Sequence, residues 1–301
     1  MADKPINLAV ELSLLFLLAL LWGSSFLFIN LALEGLPPLS LVAVRVLSAA
    51  AALWTVVALR GARLPRSPRM WGHIAVHAFI GNLGPWYLLA WGQQTVETAL
   101  ASVLNSTSPI FVVLYSAALG VAVGRRKVAG ALLGFGGVIL IVGTGALETL
   151  GADLAPQLAV LAGAAGYAGA ALYGHHFRTL DPVITAACAL SLCALVVTPA
   201  ALVFDDPATL RPSGTAWGAA LALGVLSTAL AQTIWFRLVN TLGPLGTASQ
   251  AYLRAGVGVA LGVAIVGDTI TLPVAVGILV AIAGVALINA PAGFMRRRPP
   301  R

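Results

Sequence analysis

Along the chain, apolar runs of about 20 residues alternate with short polar or proline-rich interruptions, and the runs lack the period-two alternation of a strand. A bilayer core about 30 Å thick takes ~20 apolar residues per helix. Ten runs reach that length, over 12–33, 38–59, 71–91, 97–121, 127–146, 155–175, 182–204, 214–236, 244–266 and 271–290. Between them lie turn signals: Pro37-Pro38, Pro65 to Pro68, Asp181-Pro182, Pro207, Pro212 and Gly243-Pro244. A membrane barrel is excluded, because the runs do not alternate and are twice the length of a membrane strand. The run 12–33 is too long for a signal-peptide core and has no clean cleavage site, so it is expected as a retained first helix.

Composition turns these runs into membrane spans. Of 301 residues, 59% are hydrophobic and 9% charged, with a mean hydropathy of +0.97. A soluble domain carries about 25% charged residues, so both a soluble globular chain and a disordered one are ruled out. The net charge of +7 could suggest nucleic acid. Instead, the cations form short clusters between apolar runs rather than one basic face, so membrane lipid and not nucleic acid is the expected partner. Lys4, Arg60, Arg63, Arg66, Arg69, Arg125, Arg126, Lys127, Arg178, Arg237, Arg296, Arg297, Arg298 and Arg301 fall on one side of the ten-run topology. The other side has Arg211, while Glu34, Glu97, Glu148, Asp153, Asp205, Asp206 and Asp268 also fall there. The positive-inside rule then places both termini in the cytoplasm of a multi-pass protein of the bacterial inner membrane.

Overlaying the second half on the first with a shift near 146 aligns Pro38 with Pro182, Thr95 with Thr241, Ala101 with Thr247, Gly120 with Gly267 and Gly130 with Gly277. This divides the chain into repeats 1–148 and 149–301, the second ending in the basic tail. Each holds five helices. An odd number sends the second copy in from the opposite side, giving an all-α protein built of two inverted five-helix repeats. Such a pair offers two near-equivalent packings and hence alternating access around a midplane site.

Three segments carry a family resemblance: Leu21-Trp22-Gly23-Ser24-Ser25-Phe26, Asn105-Ser106-Thr107-Ser108-Pro109-Ile110 and Gln250-Ala251-Tyr252-Leu253-Arg254. Together they resemble the two EamA-type repeats of the drug/metabolite transporter superfamily, over nearly the whole chain. Within it, the chain is most similar to the YddG-like ten-helix bacterial exporters of amino acids. The pattern departs at Ala255, where the family usually has proline, and at Val121, where it favours an acid. The resemblance implies helices 3, 4, 8 and 9 around a central pathway, with helices 5 and 10 peripheral.

Polar side chains at membrane depth face the bundle interior, a neighbour or water. Arg254 lies ~15 Å from the inner end of its helix, at the midplane. It reads either as a cation that attracts a substrate carboxylate or as one neutralised structurally. Arg45, ~10 Å below an outer helix end, is placed to snorkel and reads as structural. Asn105 and Ser108 flank a polar turn before Pro109, which forms either a binding wall or the repair of a proline kink. His77, Asn82 and Trp86 on helix 3, Thr228 and Gln232 on helix 8, Trp22 and Ser25 on helix 1, Tyr167 on helix 6 and Tyr252 on helix 9 complete the candidate substrate-binding set. An aromatic-lined cavity with a few hydrogen-bonding groups suits a modest amphipathic solute, although aromatics also fill bundles that hold no ligand.

Cys188 and Cys193 share one apolar segment and read as core. His175-His176 near Asp181 resembles a metal cluster only superficially, since adjacent helical residues diverge by about 100°. Gly130/Gly134 and Gly258/Gly262 have the spacing of close helix packing. No nucleophile motif, paired membrane carboxylates or phosphate loop is present, so no enzyme, metal, cofactor or ATP-driven pump is expected. The reading is a secondary transporter, exporter or facilitator, of amino acids or similar small metabolites, with its oligomeric state open. A membrane enzyme or scaffold, or a drug or nucleotide-sugar carrier of the same fold, is the alternative. With all ten acids assigned to tails or connections, facilitated diffusion or exchange is expected, and His77 is the one titratable alternative.

Overall fold

Proline and glycine set many of the element boundaries. A computed structural model describes residues 7–206, 209–261 and 271–290, and every regular element among them is helical. Lys4, Pro207, Gly262, Gly267, Asp268, Arg296, Arg297, Arg298 and Arg301, named above, lie outside these residues. In chain order the helices are α1 (Leu8–Gly23), α2 (Ser25–Leu33), α3 (Pro38–Arg60), α4 (Pro68–His77), α5 (Gly84–Gly92), α6 (Thr98–Asn105), α7 (Ser108–Ala118), α8 (Arg125–Val142), α9 (Leu154–Tyr173), α10 (Pro182–Phe204), α11 (Gly214–Gly224), α12 (Ala231–Thr241), α13 (Gly243–Ala248), α14 (Gln250–Leu261) and α15 (Leu272–Asn289). Two π-helical turns are inserted, π1 (Ala78–Leu83) joining α4 to α5 and π2 (Val225–Leu230) joining α11 to α12.

Pro38, Pro68, Pro182 and Pro244 each sit in the first turn of a helix, where a missing N–H is harmless. Asp181 caps α10 through Oδ1, which accepts from Val183 N at 2.8 Å and Ile184 N at 3.4 Å. Pro37 has no such side chain, and the start of α3 is served from the far end of α10: Asp205 Oδ2 accepts from Ser40 N at 2.7 Å. The turn between α12 and α13 needs a left-handed residue, which Gly243 supplies with φ 77°.

Among the described residues, seven helical stretches are long and apolar enough to cross a membrane: Leu8–Leu33, Pro38–Arg60, Thr98–Ala118, Leu154–Phe177, Pro182–Phe204, Gly214–Thr241 and Leu272–Asn289. The α4–π1–α5, α8 and α13–α14 stretches fall outside that criterion. Leu59, Leu195, Val203, Phe204 and Leu272 stand well exposed, as expected where the surrounding solvent is hydrocarbon.

The packing is reciprocal. α3 lies on α10 and α8 on α15; α5 on α9 is matched by α12 on α1, and α7 on α9 by α14 on α1. The α8–α15 crossing is the tightest. A Cβ on Gly137 would stand 2.5 Å from Ala281 N and 2.8 Å from Gly277 O, and one on Gly284 would stand 2.5 Å from Gly134 N. Backbone therefore meets backbone, the close approach that small residues permit in lipid. Gly130 and Gly134 serve this contact, as their spacing indicated.

One assignment is corrected. Glu11 belongs to no tail. Asn7 Oδ1 caps α1 by accepting from Ala9 N at 3.2 Å, so the helix begins at Leu8 and its first turn includes Glu11. That carboxylate is buried and accepts from Arg237 Nη2 at 2.7 Å and Thr241 Oγ1 at 2.9 Å. Arg237 lies within α12, which runs on to Thr241, rather than in a connection.

Candidate functional site

Four helical stretches and α9 bring aromatic and cationic side chains to one point. Trp22 (α1), Ser25 (α2), Arg45 (α3), Trp86 and Leu89 (α5), Tyr167 (α9) and Arg254 (α14) enclose a cavity of about 10 Å³, roughly the room of one water. Arg45 Cζ lies 4.0 Å from the Trp86 ring centroid and Arg254 Cζ 4.9 Å from that of Trp22. Trp22 in turn stacks on Tyr167 with centroids 6.5 Å apart and planes 24° apart.

Both guanidinium groups are buried, at 3% exposure for Arg45 and 8% for Arg254. Each makes a single hydrogen bond, through Nε: Arg45 donates to Thr228 Oγ1 at 2.7 Å, and Arg254 to Gln250 Oε1 at 2.6 Å. Their Nη nitrogens have no protein acceptor among the described residues. Nor does an acid among the described residues line the cavity. The one ion pair within the described residues is Arg237–Glu11, elsewhere in the bundle. Burying an ion costs several kcal/mol even after relaxation. A cation–π contact returns about 2 kcal/mol in a dry site, and a hydrogen bond to a charged group about 1.5–3 kcal/mol. The local partners thus offset part of the desolvation and leave two positive charges without counter-charge among the described residues.

The surrounding polar groups orient this pair. Thr228 lies in π2, and its Oγ1 donates to Leu223 O at 2.8 Å while accepting from Arg45. Trp22 Nε1 donates to Ser227 O, also in π2, at 2.9 Å, and Ser25 Oγ donates to Trp22 O at 2.6 Å. Asn82 in π1 accepts a hydrogen bond from Gln232 on α12, and its own Nδ2 lacks a partner. The π turns start 147 residues apart, at Ala78 and Val225, so both halves carry this irregularity at matching places. Such turns recur at functional sites.

Several candidates stand apart from the cavity. His77 is buried among Phe177, Trp235 and Phe236, with ring centroids 5.3, 5.1 and 4.9 Å away and neither ring nitrogen hydrogen-bonded. Ser108 Oγ donates to Asn105 O at 3.0 Å and Ala164 O at 3.2 Å. It thereby satisfies the carbonyl that Pro109 strips of its helical partner, which is the kink-repair arrangement. Asn105 is buried at the end of α6. Tyr252 faces α8: its hydroxyl donates to Ala131 O at 2.8 Å and its ring covers Gly134. Two residues along a helix turn by about 200°, so Tyr252 and Arg254 cannot share a face.

Arg45 is the cavity-lining residue whose direction the sequence misplaced. It does not snorkel, because Trp86 and Thr228 hold its head group inside the bundle. No local signal reveals that, since Thr228 is 183 residues away. Gln250 was legible in principle, four residues before Arg254 and hence on the same helical face.

Elsewhere, an open recess of about 540 Å³ lies where residues 121–124, the start of α8 and the Gly243-Pro244 turn meet, with Arg126 and Lys127 on its wall. The two cysteines are free and buried. His176 stacks on His73, whose Nδ1 lies 2.6 Å from Tyr173 Oη, His175 is tilted against His176, and the described residues contain no group of three or more metal-ligating side chains.

The pattern of the EamA-like transporter family matches residues 10–143 and matches again over 155–290. An uncharacterized transporter of Archaeoglobus fulgidus is 31% identical over 246 residues, which span 80% of this chain and 83% of that protein. The uncharacterized inner membrane transporter YedA of Escherichia coli is 24% identical over 257 residues (85% of this chain, 83% of YedA). YoaV, an uncharacterized transporter of Bacillus subtilis, is 24% identical over 225 residues (74% and 77%). A solved crystal structure superposes with a TM-score of 0.76 over 93% of this chain and 97% of that one. At 22% sequence identity, that likeness establishes the fold and nothing finer. With both halves matching one family and seven apolar helical stretches of membrane-spanning length among the described residues, the chain is a multi-pass inner-membrane protein and belongs to the EamA-like transporter family.

Proposed function

We propose that the protein is a secondary carrier that moves small carboxylate-bearing metabolites, amino acids among them, by alternating access around the Trp22–Arg45–Trp86–Tyr167–Arg254 cavity. The observation that carries this reading is the pair of buried guanidinium groups turned into that cavity with free Nη donors. A guanidinium fork matches a carboxylate bidentately. The aromatic walls accept side chains of varied size.

Alternating access draws support from three features. The family pattern recurs in both halves, over 10–143 and 155–290. The helix contacts come in matched pairs across those halves. The α4–π1–α5, α8 and α13–α14 stretches, added to the seven spans, bring the count to the ten helices of two five-helix units within 1–148 and 149–301. In this reading the units are inverted, both termini are cytoplasmic and the Arg126–Lys127 recess opens to the cytoplasm. Ser25 supports Trp22, Thr228 and Gln250 orient the arginines, and Asn82 and Gln232 brace the two π turns. No carboxylate among the described residues lines the cavity, so in this reading transport runs as facilitated diffusion or exchange.

Purified protein in proteoliposomes tests the proposal: it should show saturable uptake of carboxylate solutes, and none by a well-inserted protein removes the carrier reading. Losing a charged hydrogen bond costs about 1.5–3 kcal/mol, so Arg254→Gln should weaken apparent affinity about ten- to 150-fold while the protein stays folded. Wild-type affinity in that variant would make Arg254 a structural residue.

A further inference from the structure

A single intramembrane cation fits a zwitterion, whose carboxylate it holds while the ammonium finds an acid or a carbonyl nearby. The cavity does not offer that arrangement. Among the described residues it is lined by two cations and no acid: Arg45 and Arg254 line the same small space, and Glu11, the acid held in an ion pair among those residues, is taken by Arg237. The chemistry of the walls is also one-sided. Arg45 and Arg254 supply charged donors, the indoles of Trp22 and Trp86 present π faces, Leu89 is apolar, and the hydroxyls of Ser25 and Tyr167 are the neutral groups left to accept. The natural acceptors near the guanidinium groups, Thr228 Oγ1 and Gln250 Oε1, are already occupied by the Nε donors. An incoming ammonium would therefore meet two like charges and few free acceptors.

Resting on the carrier reading above, we infer that the preferred substrate is a small dicarboxylate without an ammonium group, one carboxylate to each arginine. Two forks seated under two different indoles, Trp86 and Trp22, present two separate planar donor sets, which suits two carboxylates better than one. Each carboxylate takes the Nη donors that have no protein acceptor, and the loaded cavity is electrically neutral. The closed space of about 10 Å³ must widen to admit even a four-carbon diacid, so binding is coupled to helix movement. Arg45 is, in this account, the residue that separates dicarboxylates from monocarboxylates and zwitterions.

The test is competitive uptake into proteoliposomes with succinate, butyrate, glutamate and leucine, together with thermal unfolding of the detergent-solubilised wild type in each solute. Succinate should be transported with the lowest apparent KM and raise the midpoint of unfolding most, with glutamate behind it and leucine last. Arg45→Gln should lower succinate transport about ten- to 150-fold more than it lowers butyrate transport. Arg45→Lys, which keeps the charge and loses the fork, should fall between. Should Arg45→Gln fail to fold, the wild-type ranking decides alone. Saturable leucine uptake that succinate neither competes with nor exceeds overturns the dicarboxylate inference and leaves the carrier standing. Absence of saturable uptake of any solute overturns both.

Discussion

The α8–α15 crossing and the arginine cavity lie in the same bundle and are held together in opposite ways. At the crossing, Gly134 and Gly137 on one side and Gly277, Ala281 and Gly284 on the other bring two backbones into contact with no polar side chain between them. In the cavity, large side chains fill the space between the helices, and the charged ones have no counter-ion among the described residues. Lipid is as apolar as a leucine core, so the crossing gains its stability from contact and shape. The cavity gives up stability to keep two desolvated charges in place, as binding sites do when they are preorganised for a ligand that supplies the missing charge.

That contrast can be broken from the structural side first, and there the effect is largest. Gly137→Leu forces a side chain into Ala281 N and Gly277 O and should destabilise by about 3 kcal/mol or more, the upper end for overpacking. Gly136→Leu, one position along, places its Cβ where nothing lies within 4 Å and should stay within about 0.5 kcal/mol. Thermal unfolding in detergent reads both, and equal effects would mean that α8 and α15 are not in backbone contact. A smaller effect is expected in the cavity. Trp22→Leu removes the face beneath Arg254 and the donor to Ser227 O, about 2.5 kcal/mol together. Added carboxylate substrate should recover more midpoint in wild type than in the variant. Equal recovery would detach Trp22 from the site.

The framework of spans was readable because its signals are local. Pro38 and Pro182 fix their helix starts, Gly243 its turn, and each apolar run its length. The α1–α2 break at Ser24 and the α6–α7 break before Ser108 interrupt runs that composition alone reads as continuous. The π turns escaped as well, since an extra residue per turn leaves no mark on hydropathy. At the site, Trp22, Trp86, Tyr167 and Arg254 were named from polarity and aromaticity, and they do converge. Polarity does not encode direction, however. Tyr252 and His77 carry the same signal and point elsewhere, while Arg45 was read as snorkelling although its partners are 41 and 183 residues distant in sequence.

In the proposed carrier, two fixed positive charges with no counter-charge among the described residues tie the transport cycle to membrane voltage. Moving one elementary charge through 100 mV is worth about 2.3 kcal/mol, so an empty site carrying two would feel up to about 4.6 kcal/mol if it crossed the whole field. A site neutralised by a dianion would feel none. Voltage therefore acts on the return of the empty carrier and not on the loaded one. Exchange of one labelled dicarboxylate for another should be indifferent to an imposed potassium diffusion potential, whereas net uptake should follow it, and voltage-sensitive exchange would show that the loaded site is not neutral.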